Sequence, residues 1–64
     1  MMCFLTKSGT YYYLDTINHL FWGGRVTNPV RYSSASCIVG NKGVIQLADG
    51  RLVTTSVIVS YQRG

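Results

Sequence analysis

Sixty-four residues make a single domain, and a chain this short buries only about 60% of the surface its unfolded form exposes. Six Lys and Arg against two Asp, with no Glu, leave a net charge of +4, which excludes an acidic protein and favours an anionic partner. One histidine (His19) and two distant cysteines (Cys3, Cys37) cannot supply the four close-spaced ligands of a zinc site, so no metal is expected and self-association is the favoured extra source of burial.

The first nine residues hold too short an apolar run for a signal sequence or a membrane span. The expected setting is soluble and cytoplasmic, with no membrane partner. A Cys3–Cys37 disulfide stays open at this point, but reduced, partly buried thiols are the preferred reading.

Helix formers are scarce, while Thr, Val, Ile, Tyr and Ser dominate. Residues 3 to 6 read as a first strand, turned by Lys7, Ser8 and Gly9. Residues 10 to 15 form a second strand, in which Tyr12 and Leu14 face inward and Tyr11 and Tyr13 outward. Asp15 and Asn18 close the next turn. A third strand covers residues 19 to 22 and stops at Gly23-Gly24. Residues 25 to 34, with Asn28-Pro29 and a serine pair, read as a long loop or an irregular edge strand. Residues 35 to 39 read as a buried strand.

Asp49-Gly50 lies between the apolar runs 44 to 48 and 51 to 54 and predicts a two-residue type I′ hairpin. That register pairs Leu47 with Leu52 and Ile45 with Thr54 on the core face. Residues 57 to 61 form the last strand, apolar on both faces, as expected where a partner subunit covers the outside. The fold class is all-β: a five- to six-stranded antiparallel barrel or sandwich of meander hairpins, one domain over residues 1 to 64.

The inventory lacks an acid–base or nucleophilic constellation, and Gly40-Asn41-Lys42-Gly43 is too short for a phosphate loop. No enzyme and no cofactor are expected. A core this small cannot hold every ring. Tyr11, Tyr13 and Trp22 are therefore candidates to stack bases, and Arg25, Arg31 and Arg51 to hold phosphates. Thr54, Thr55 and Ser56 are candidate anion contacts through hydroxyls and backbone N–H groups. The same residues also suit a subunit interface, where Tyr, Trp and Arg are enriched.

The opening Ser8, Gly9, Thr10, Tyr12, Leu14 and Asp15, with the ending Thr55, Ser56 and Ile58, resembles small phage and prophage proteins. Those carry a Thr/Ser-Gly-Ser/Thr-x-Tyr-x-Leu-Asp opening and a Thr-Ser-x-Val/Ile ending. The resemblance implies a small β-barrel and a non-catalytic accessory protein, made in the host cytoplasm to counter host defence. By that analogy it sequesters a nucleotide signal, in addition to the self-association expected from its size. Two alternatives are an anti-CRISPR-like inhibitor of a host defence nuclease or effector, and a sequence-tolerant binder of single-stranded nucleic acid. Salt dependence separates the last, since each neutralised phosphate releases counterions.

Overall fold

Alternation of apolar and polar side chains builds the first half of the chain. The computed structural model, which describes residues 1–63, places β1 at Met2–Thr6, β2 at Tyr11–Asp15 and β3 at Leu20–Gly23. They are followed by β4 (Val26–Ser36), β5 (Lys42–Leu47) and β6 (Leu52–Arg63). Each strand runs antiparallel to the next, and β6 returns to β1, so the six strands close into a barrel, with no helix among the described residues. Closure removes the open edges that a small sheet would otherwise expose.

Phe4, Leu14, Phe21, Ile45, Leu47 and Ile58 fill the interior, each contributing about 1.5–3 kcal/mol by leaving water. Tyr12 stands between two of them. Its ring stacks on Phe4 at 5.3 Å and on Phe21 at 5.8 Å between centroids. Tyr12 and Leu14 therefore face the core, as the alternation predicts, and Tyr11 faces out. Cys3 and Cys37 are free thiols, both half-buried.

Two long strands bend to serve two neighbours each. β4 pairs with β3 through Val26–Arg31 and with β5 through Tyr32–Ser36. Residues 25 to 34 are thus neither a loop nor a separate edge piece, although Pro29 does lie in the half that has left β5. There a missing N–H breaks no ladder on that side. Residues 35 to 39 are not a buried strand: Ala35 and Ser36 are the exposed end of β4, and Ile38 and Val39 lie exposed in the following turn. Likewise β6 pairs with β5 up to Val57 and with β1 from Ile58 onward.

The Asp49-Gly50 turn departs from expectation in one respect with a large consequence. A type I′ turn needs positive φ at both central residues. Gly50 has it, at 93°, but Asp49 does not. Instead Leu47 N–H bonds the Arg51 carbonyl and Gly50 N–H bonds the Leu47 carbonyl, giving a three-residue loop. The Asp49 carboxylate accepts the Arg51 N–H at 3.0 Å and fixes this form. The register moves by one residue, so Ile45 faces Val53 and Gln46 faces Leu52. A one-residue slip exchanges the faces, which is why Leu52 is 62% exposed rather than in the core.

A second adjustment lies at Gly43. The β5–β6 register shifts between Lys42 and Val44, so the Gly43 N–H is not carried by the regular ladder. The buried Thr55 hydroxyl accepts it at 2.9 Å and donates to the Ser56 carbonyl at 2.8 Å.

Candidate anion-binding groove

Where β4 leaves β5, and where β6 has not yet reached β1, the barrel wall opens. Two adjoining hollows occupy the gap, of about 390 and 500 Å³, with Arg25, Val26 and Val53 common to both. The first lies between the start of β4 and the β5–β6 hairpin, with Arg51, Leu47 and Leu52 on its far side. The second reaches Thr10, Tyr12, Gly23, Gly24 and Thr54.

The turns aim the arginines. Arg25 is the second residue of the two-residue loop between Gly23 and Val26, which face each other across β3 and β4. Gly24 precedes it at φ 56°, a conformation that disfavours any Cβ. A Cβ there would also stand 3.0 Å from the Tyr12 hydroxyl oxygen. Bare glycine therefore lets the Tyr12 phenol lie under the turn, with its ring in the core and its polar end at the groove, as buried tyrosines generally require. Arg51 closes the β5–β6 turn.

Asp49 and Arg51 form the one ion pair among the described residues, 2.7 Å apart and well exposed. The Arg51 backbone and guanidinium hydrogen bonds hold the Asp49 carboxyl below its ordinary value. Arg25 has no such carboxylate, so its charge is the uncompensated one in the groove. Two guanidinium groups, the hydroxyls of Thr10, Tyr12 and Thr54, and aliphatic walls suit a phosphate-bearing ligand of modest size.

Of the residues singled out in the sequence, Arg25 and Arg51 come together here. Tyr13 and Trp22 meet elsewhere, stacked on each other at 5.5 Å on the outer wall. Neither they nor Tyr11, Arg31 or Ser56 line the hollows. Arg31 is exposed on β4 opposite Leu20. Thr55 is 4% exposed and its hydroxyl is committed to Gly43 and Ser56, so it offers nothing to a ligand. Thr54, a candidate anion contact from the sequence, does line the second hollow, whereas Tyr12 and Thr10 were missed. The phenol of Tyr12 was the available signal, since an inward-facing Tyr needs somewhere to place its hydroxyl.

Burial pushes the Cys37 thiol up, which leaves little thiolate at neutral pH. Burial, then the nearby Asp15 and Cys37, raise the Tyr32 phenol. His19 is exposed, at φ 56°, with its ring tilted against Tyr32 at 5.7 Å. Among the described residues no group of three His, Cys, Asp or Glu could hold a metal ion. No helix there is long and apolar enough to cross a membrane.

No protein-family model, curated protein or solved structure matches the chain. The functional reading therefore stands on the groove and its chemistry.

Proposed function

We propose that the protein binds a small phosphate-bearing ligand of nucleotide type in this groove, and does so without making or breaking a bond. Arg25 and Arg51 hold the phosphate, the three hydroxyls complete its hydrogen bonds, and Val26, Leu47, Leu52 and Val53 cover the rest of the ligand. The protein self-associates, and its role is to sequester a signal, in keeping with the resemblance to phage accessory proteins. The observation that supports this reading best is the convergence of two arginines from separate hairpin tips on one hollow with an uncompensated charge at Arg25.

Calorimetric titration with a mononucleotide, with inorganic phosphate and with an oligonucleotide tests it. The mononucleotide binds and raises the melting temperature through linkage. Arg25→Ala weakens binding by about tenfold or more, as loss of a charge-assisted hydrogen bond implies. Unchanged affinity in Arg25→Ala sinks the groove assignment. Preference for the oligonucleotide with a steep salt slope would favour a nucleic-acid binder instead.

A further inference from the structure

The two hollows meet at one place. Arg25, Val26 and Val53 line both, so Arg25 stands at the waist of a groove with a lobe on either side. The lobes, of about 390 and 500 Å³, are comparable in size, and each is large enough to hold a small organic group. A ligand that carries its phosphate at one end and sets it on Arg25 fills one lobe and leaves the other to water.

Each lobe offers what a nucleoside needs. In the first, Val30, Leu47 and Leu52 give aliphatic surface beside Asn28. Asn28 lies two residues from Val26 and two from Val30, on the same face of β4. Its side-chain amide makes no hydrogen bond among the described residues. An amide presents a donor and an acceptor side by side, the pattern that a base edge matches. In the second lobe, Thr10, Tyr12 and Thr54 bring three hydroxyls. A guanidinium fork already engages both free oxygens of a phosphodiester, so these hydroxyls are in surplus and can also meet a sugar or base.

The charge in the groove points the same way. The Arg51 Nε is 2.7 Å from Asp49, which leaves one uncompensated positive charge, on Arg25. A phosphodiester carries one negative charge, whereas a terminal phosphate ester carries about −1.5 to −2 at neutral pH. The single charge is the closer match.

We propose that the ligand of this groove is a dinucleotide: two nucleosides joined by one phosphodiester that lies across Arg25, with a nucleoside in each lobe. The proposal rests on the nucleotide reading above and adds the class of nucleotide.

Calorimetric titration compares a dinucleoside monophosphate with the mononucleotide and its methyl ester, and with a tetranucleotide, all of one base. The methyl ester keeps the single charge and lacks the second nucleoside. The dinucleotide binds at least about tenfold tighter than either smaller probe. Its affinity falls with salt at a logarithmic slope of about −0.7, the value for one phosphate of a single strand. The tetranucleotide gains less than about tenfold over it. Asn28→Trp and Thr54→Trp, both at exposed positions, fill the first and second lobes respectively. Each brings the ratio of dinucleotide to methyl-ester affinity close to one. The comparison of probes on wild type needs neither variant to fold. Equal affinity for dinucleotide and methyl ester overturns the two-lobed ligand and leaves the groove reading intact. So does a ratio that survives both tryptophans in folded protein. A tetranucleotide that binds far tighter, with a slope of several phosphates, replaces the dinucleotide by a strand. Binding of none of the probes overturns this proposal and the groove reading together.

Discussion

Replacing Thr55 by Val keeps the shape of the side chain and removes its oxygen. In the wild type that oxygen accepts the Gly43 N–H at 2.9 Å, at the point where the β5–β6 ladder shifts register. Thr55 is 4% exposed, so water cannot readily replace it. A buried donor left without a partner costs about 1–3 kcal/mol. For a domain of this size each kcal/mol moves the melting temperature by about 4–8 °C, so a loss of around 10 °C is expected by thermal circular dichroism. Urea titration should give a lower midpoint with an unchanged slope, since the surface exposed on unfolding is the same. Thr55→Ser retains the oxygen and should fall well short of that loss. If Thr55→Val melts with the wild type, or if Ser and Val are equally damaging, the hydroxyl is not what satisfies Gly43.

Gly24→Ala should destabilise by about 1–3 kcal/mol, because a non-glycine residue at φ 56° is strained and the new methyl meets the Tyr12 ring at 3.0 to 3.2 Å; chemical denaturation measures it, and nucleotide binding should weaken as the phenol is displaced. The acid response follows from the two aspartates. Asp15, held down by the Asn18 side chain and then by backbone N–H groups, and Asp49, held down by Arg51, both have folded values below the ordinary carboxylate value. Their contribution is therefore complete above the unfolded value, about pH 4, and is lost as pH falls through the folded values. Melting temperature should be flat from neutral pH down to about 4 and decline only below it; a decline centred near pH 6 would refute the assignment to the two aspartates.

The parts of this barrel that were legible in the sequence are those with a single neighbour environment along their length. β1, β2 and β3 alternate cleanly, and Lys7-Ser8-Gly9 and Gly23-Gly24 bracket them. Leu14 and Ile45 could be placed inside from period alone. β4 defeated the same reasoning. Val26–Ser36 changes partner halfway and is exposed over most of its length, so it shows no alternation, and its Asn, Pro and Ser content imitates a loop. β6 was seen as two pieces because its inward positions change phase between Thr55 and Ile58.

The hairpin at Asp49-Gly50 was placed correctly, yet its loop was one residue longer than the dipeptide suggests, and every facing assignment around it moved. The groove shows a related limit. Arg25 and Arg51 could be singled out by type and by their place beside glycine turns. Their convergence depends on how far β4 and β6 bend, which no local pattern encodes.

The seam between β1 and β6 has a bearing on how the molecule comes into being. Met2 lies opposite Arg63 and Leu5 opposite Ser60, so the first strand to be synthesised waits for the last before its outer edge is satisfied. Until then Met2–Thr6 is a bare template, and any neighbouring nascent copy that offers an Ile58–Arg63 segment can fill the place intended for its own. Exchange of that terminal strand between chains is accordingly the misassembly to which this topology is most exposed, above all when many copies are translated side by side.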